Sequence, residues 1–206
     1  GVGDFLATLR TNGVLANGYF VFTSDHGEGF GEHGSLFHTA APFEEQVRVP
    51  LLIAGSGLSG RRREEPASLI DLAPTLAQMA GIPMDPSWPG CSLLPTSSGS
   101  SAPRSPGQAL FAFESLSCPE DTLFVLEGGK KILLTPETLS SGSLVGAYDL
   151  VRDPLEHADV SGIEAWAPAL LERHLAVLTA ILVAEPESAP VELNQEKQAE
   201  LQALGY

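Results

Sequence analysis

Cysteine is nearly absent from this chain. Two residues, Cys91 and Cys118, among 206 cannot build a disulfide framework, and no cysteine pair has the spacing of a metal knuckle. A single bridge between them would decide nothing about compartment. Basic residues are scarce as well: 11 Lys and Arg stand against 26 Asp and Glu, a formal net charge of -15. A protein that grips a phosphate backbone or an anionic bilayer needs Lys and Arg gathered on one face, so nucleic acid and anionic lipid are excluded as partners. The only basic cluster, Arg61-Arg62-Arg63, is followed at once by Glu64-Glu65 and reads as a solvated loop. No hydrophobic run reaches bilayer length, and the most apolar one, 175–184, is too short, so no membrane segment is expected. No signal peptide is visible either. The chain opens on Gly1, almost directly on an amphipathic segment, as a piece of a longer protein would. Localisation therefore stays open, a periplasmic or secreted full-length protein being compatible with it.

What is present is globular. Hydrophobic residues make up 43% and charged residues 18%, enough for a packed core. Apolar positions at helical spacing predict a helix over 4–10, stopped by Asn12-Gly13. Two short apolar runs without alternation, 19–23 and 49–54, predict buried strands of a parallel sheet. A helical turn is expected at 43–47, and a helix over 68–80 that ends at Gly81. Residues 97–107, rich in Pro, Ser and Gly, predict a surface loop. Beyond it, strands are expected over 109–113, 122–126, 131–134 and 146–150, with a hairpin at Gly128-Gly129. Helices are expected over 164–183 and 195–204. The fold class is α/β: a partial, mainly parallel sheet with flanking helices, then a small C-terminal antiparallel sheet with packing helices. The expected division is 1–96, the loop 97–107, and an α+β subdomain over 108–206.

The chemistry gathers after the first strand. Asp25 and His26 stand side by side at its end, where ligands collect in open α/β sheets. Glycines at 27, 29, 31 and 34 follow. A carboxylate and an imidazole in a glycine loop suit a divalent cation. The dipeptide taken alone reads more simply as a helix cap or Asx-turn at Asp25 with a surface histidine beside it.

The wider string "VFTSDHGEGFGEHGS" resembles the second metal-binding segment of the sulfatase family, in the alkaline-phosphatase-like superfamily. Further segments resemble that family in order: "FEEQVRVPLLIAGSG", "ASLIDLAPTLAQMAGIP", "GCSLLP" and "YDLVRDPLEHADVS". The closing "LQALGY" is similar to the end of many bacterial members. The resemblance implies that Asp25 and His26 are two ligands of a divalent cation, calcium first. Manganese and zinc stand as alternatives because His26 brings an imidazole. It implies a cationic role for His38 on the leaving-group side of the substrate, and a loop-supporting role for His33. Glu44, Glu45 and Arg48 are expected to form a structural network beside the site, with Arg48 paired to a carboxylate. Asp71 is expected to be structural, and Lys130 and Lys131 to be lysines of an edge strand.

The family's nucleophile, a formylglycine made from Cys or Ser in a Cys/Ser-x-Pro-x-Arg motif, has no counterpart here. Cys91 has Leu where the Pro belongs, and Cys118 is followed directly by Pro119 with no Arg. The first acidic pair of the metal site is missing too. The resemblance thus implies the C-terminal portion of a metal-dependent sulfuric ester hydrolase acting on a sulfate ester, with formylglycine in the other half and this chain inactive alone. A phosphoryl or phosphonate ester hydrolase, or a phosphoethanolamine-type transferase, of the same superfamily is the alternative. A non-catalytic fragment is a third reading.

Overall fold

The computed structural model describes residues 1–34, 36–37, 42–60, 62–94, 110–114 and 122–183. The expected loop at 97–107 and the expected helix at 195–204 lie outside them. Two compact units are distinguished, Gly1–Glu172 and Arg173–Tyr206. In the second, residues 173–183 are described and are helical.

The chain begins with helix α1, Val2–Thr11, with Asp4 in its first turn and Arg10 in its last, both complementing the helix dipole. Gly13, in the left-handed region at φ 70°, turns the chain away. Phe5 of α1 meets Phe20 with ring centroids 5.6 Å apart. Strand β1, Tyr19–Phe22, leads into the glycine loop. That loop contains a short ladder, β2 (Gly29–Phe30) against β3 (Leu36–Phe37), and the one-turn helix α2, Glu44–Val47. Strand β4, Leu52–Gly55, then pairs with β1 in antiparallel register, Tyr19 opposite Gly55 and Phe22 opposite Leu52.

The mixed α/β class holds, but the expected mainly parallel sheet is not confirmed. The strand pairs among the described residues are all antiparallel. Returning a strand in parallel needs a crossover of helix length, and α2 has only four residues. The two strands are also less covered than their apolar composition predicts: Tyr19, Phe22 and Leu52 are 37–40% exposed.

After β4, a 3₁₀ turn at Leu69–Asp71 runs into helix α3, Leu72–Ala80, which ends on Gly81 at φ 66°. Pro74 sits within its first turn, where a missing N–H costs no helical bond. Asp71 is buried and structural, as expected. Its carboxylate accepts from the N–H of Ser68 (2.9 Å) and of Cys91 (2.8 Å). The Thr75 hydroxyl oxygen accepts from Leu93 N–H at 2.9 Å, so α3 and the 90–93 segment form one staple.

The main core belongs to a four-stranded antiparallel sheet: β5 (Leu110–Glu114), β6 (Thr122–Glu127), β7 (Lys130–Leu134) and β8 (Gly146–Asp149), in that order. Gly128 and Gly129, both with positive φ, form the two-residue turn between β6 and β7 that the right-handed strand twist favours. On one face Phe124, Leu133 and Tyr148 pack together, with Phe43 and Val47 laid against them. The other face carries Leu123, Val125, Ile132, Leu134 and Ala147, all buried. Helix α4, Pro136–Ser141, was not anticipated, although Thr135 as N-cap, Pro136 at the first position and Gly142 as C-cap spell it out. Helix α5, Trp166–Val183, follows β8, and its Ala167, Leu170 and Leu171 are buried.

Hydrogen exchange should be slowest at the amides of Val125, Ile132 and Leu133 and markedly faster in β1 and β4. The opposite order would relocate the core. Leu133→Ala should lower unfolding free energy by about 2–5 kcal/mol in urea titration, and a loss well below that range would show that the Phe124–Tyr148 cluster collapses into the gap.

Candidate functional site

The first strand ends at Phe22 and the next residues fold into a tight corner. The Ser24 hydroxyl donates to the His26 carbonyl at 2.7 Å and also stands 3.2 Å from Asp25 Oδ1. The His26 N–H donates to the same Oδ1 at 3.0 Å. This amide bond and, after it, the N–H of Asp25 itself hold the Asp25 carboxyl below its ordinary range; desolvation opposes them, and His26 and the Ser24 hydroxyl add to the lowering. Asp25 is therefore an anion at neutral pH.

His26 Nδ1 lies 2.8 Å from the Gly27 carbonyl oxygen. A carbonyl only accepts, so Nδ1 carries the proton and Nε2 is the basic atom of the neutral ring. His26 Nε2 lies 3.9 Å from Asp25 Oδ2, and the two side chains are 39% and 69% exposed. That distance is shorter than two metal–ligand bonds of about 2.1 Å laid end to end, so both atoms can ligate one cation. The pair fits part of a cation site. Among the described residues no group of three or more His, Cys, Asp and Glu side chains converges on such a point. The third expected site residue, His38, and the second cysteine, Cys118, lie outside the described residues.

A separate open cleft of about 400 Å³ is lined by Arg10, Leu15, Ala54, Gly55, Leu58 and Ser59, among others. It sits where Gly55 pairs with Tyr19, the amino end of β1. The Asp25–His26 corner is at the carboxyl end, where the donor atoms are, and the cleft plays no part in it.

The corner is fastened at Gly27. Its N–H donates to the Gln46 carbonyl of α2 at 2.7 Å. A Cβ at Gly27 would stand 1.9 Å from the Glu45 carbonyl oxygen, so only glycine permits this approach. The helix α2 is fixed in turn by its two glutamates. Glu44 Oε1 lies 3.2 Å from Lys131 Nζ, and the Glu44 N–H donates to Glu156 Oε2 at 2.6 Å. Lys131 Nζ lies 2.9 Å from Glu156 Oε1 and 5.0 Å from the Phe124 ring centroid. Lys131 and Glu156 have no side-chain exposure at all. Burial, with the Glu44 charge adding to it, raises the Glu156 carboxyl above its ordinary range, against the pull of Lys131 and the Glu44 N–H. Glu45 Oε1 meets His33 Nδ1 at 2.8 Å, and His33 stacks on Phe43.

Glu44 and Glu45 thus belong to a network beside the corner, as expected, and His33 joins it through Glu45. The expected carboxylate partner of Arg48 is Glu44 at 4.0 Å, but Arg48 is 65% exposed, and such a pair contributes at most about 1 kcal/mol. Lys130 and Lys131 are not edge-strand lysines. Their strand β7 lies between β6 and β8, which closes both of its sides. Lys131 can remain charged there because two carboxylates reach it. Lys130 points to the opposite face, pairs with Asp149 at 2.5 Å and lies 5.1 Å from the Trp166 ring centroid. Glu156 was missed as a supporting residue. It sits inside the "YDLVRDPLEHADVS" string, but nothing local marks it as the partner of a lysine on β7.

A family model named Sulfatase matches residues 1–82. The chain is 35% identical over 161 residues to choline-sulfatase of Rhizobium meliloti (strain 1021), an alignment covering 75% of this chain and 29% of that protein. It is 31% identical over 169 residues to arylsulfatase K of Xenopus laevis, covering 78% of this chain and 31% of that one. The crystal structure of phosphonate monoester hydrolase of Agrobacterium radiobacter superposes with a TM-score of 0.66 over 95% of this chain and 41% of its own, at 22% identity. At that identity the likeness is one of fold. The chain spans about three tenths of the length of these curated relatives.

Lys131→Met should destabilise the protein by about 3–5 kcal/mol in chemical denaturation, because it leaves the Glu44 and Glu156 carboxylates buried without their cation. A change below about 1 kcal/mol would mean that water or protonation compensates, and that the three charges do not act as a set.

Proposed function

The chain belongs to the sulfatase family, and on that premise we propose that Asp25 and His26 form one side of the cation site of a metal-dependent sulfuric ester hydrolase. The observation that carries this reading is the fixed pair of donor atoms at the carboxyl end of β1. Asp25 supplies an anionic oxygen, and His26 supplies Nε2 because its Nδ1–H is committed to the Gly27 carbonyl. A divalent cation held there would polarise an ester oxygen and neutralise charge that develops on it. Calcium is the first choice, and manganese and zinc are the alternatives that the imidazole admits.

In this reading the remaining residues of the corner orient the two ligands. Ser24 and the His26 N–H occupy Asp25 Oδ1 and so turn Oδ2 toward His26. Gly27 ties the corner to α2. We assign His38 the cationic contact on the leaving-group side of a sulfate ester. The other cation ligands and a formylglycine nucleophile would come from a longer protein of which this chain is the C-terminal portion. The half-covered faces of β1 and β4 favour such a partner segment. The second reading, a phosphonate or phosphate ester hydrolase on the same fold, is favoured by the fold likeness to phosphonate monoester hydrolase.

The isolated chain should bind Ca²⁺ and Mn²⁺ only weakly in calorimetric titration and leave a chromogenic aryl sulfate intact; clear turnover would overturn the half-site reading. In a full-length protein, Asp25→Asn should lower kcat/KM by more than the roughly 10- to 100-fold expected of residues that only orient a ligand, and by more than His33→Ala. Equal losses would mean that Asp25 is not a ligand. Paired aryl sulfate and aryl phosphonate substrates decide between the two esters.

A further inference from the structure

His33 lies in the short 3₁₀ turn Glu32–Gly34 with a left-handed backbone, φ 49°. Glu156 is the other non-glycine residue with positive φ among the described residues, at 55°. This region is unfavourable for a residue with a Cβ, and it persists where the surroundings over-determine it. Here the two residues are bonded to each other: His33 Nε2 lies 3.0 Å from the Glu156 carbonyl oxygen. On the far side of the ring, Nδ1 lies 2.8 Å from Glu45 Oε1. The Phe43 ring is stacked on the imidazole, with centroids 3.7 Å apart and planes within 3°.

Both partners of the ring are acceptors. The Glu156 carbonyl has no proton to give, and neither has the Glu45 carboxylate. Either neutral tautomer would set a nitrogen lone pair against an oxygen lone pair, whereas the imidazolium donates on both sides. The surrounding charges agree with a cation. Glu44 and Glu45 face this region from α2, Glu156 from the segment after β8, and Glu32 from the turn itself. Among the described residues, Lys131 on β7 opposes it but is engaged by Glu44 and Glu156, and Arg48, 4.0 Å from Glu44, is 65% exposed. Burial works against the charge on His33, but the bonds to Glu45 and the Glu156 carbonyl outweigh it and raise its pKa.

We propose that His33 is a positioning residue: as the imidazolium it clamps Glu45 of α2 to the Glu156 backbone, and so holds the Gly27–Gln46 joint on which the Asp25–His26 corner rests. The proposal rests on reading that corner as a cation site. The effect of His33 travels through α2, because the Glu45 carbonyl is the atom that Gly27 approaches and Gln46 is the acceptor of the Gly27 N–H. Since the pKa is raised, the clamp is complete below the ordinary histidine value of 6.5 and is lost as pH rises through the higher folded value.

The test uses the chain as it stands. Nitrogen-15 spectra of the imidazoles report the protonation state of His33, and hydrogen exchange reports the Gly27 amide as a protection factor, which removes the intrinsic effect of base. The expected result is an imidazolium at neutral pH. Gly27 protection should fall about tenfold as the ring titrates, while Ile132 and Leu133 stay protected. His33→Phe keeps the stack and removes both donors, so its Gly27 protection should be low at every pH, with no step. A neutral His33 ring at neutral pH beside a protected Gly27 would overturn the proposal, as would His33→Phe with wild-type protection. If His33→Phe also loses protection at Ile132 and Leu133, the wild-type titration decides alone. The cation reading fails separately: it falls if Mn²⁺ broadens the resonances of the corner equally in wild type and Asp25→Asn, an outcome that leaves the His33 titration unaffected.

Discussion

A buried ammonium, that of Lys131, organises the packing of α2 on the sheet. Lys131 lies on an interior strand, so its charge cannot reach water, and carboxylates must come to it. They come from opposite directions in the chain: Glu44 from the helix that follows the glycine loop, Glu156 from the segment after β8. A well-packed apolar set could match such a triad in stability. What the charges add is register. An apolar contact tolerates sliding, whereas three groups with directed bonds fix α2 at one place on the sheet.

From that fixed place the order of support runs outward. The helix α2 presents the Gln46 carbonyl to Gly27, the close approach excludes any side chain at Gly27, and the corner just before it sets Asp25 beside His26. The corner gains little from its own strands. A two-stranded ladder is marginal in water, and β1 and β4 leave large apolar side chains half in solvent. Restraint at Asp25 and His26 is therefore drawn, through α2, from the Phe124–Leu133–Tyr148 cluster with Phe43 and Val47 against it.

This division bears on the family relationship. The Sulfatase model matches residues 1–82, which include both donor residues. Lys131 and Glu156, which hold those residues' supporting helix, lie beyond that span. The matched segment holds the Asp25–His26 corner, and the segment after it carries much of the restraint on α2.

The amino-acid sequence determined the local features by itself. Capping glycines, apolar runs and the Gly128-Gly129 turn act over a few residues, and their physics is complete within them. In the corner, Ser24, Asp25, His26 and Gly27 also bond to one another, although its fastening to Gln46 is tertiary. The α/β class followed from these pieces. What only the tertiary structure decided is where distant pieces meet. The direction of β4 against β1 was decided by their antiparallel pairing across a connection whose described α-helix, α2, has only four residues. Lys131 reads as an edge lysine until β8 is known to close its strand. Glu156 has no local signature, because its partners are a lysine on β7, an amide on α2 and an imidazole in the glycine loop. A buried charge is tolerated only where opposite charges converge on it, and that convergence is a property of the folded chain and not of any stretch along it.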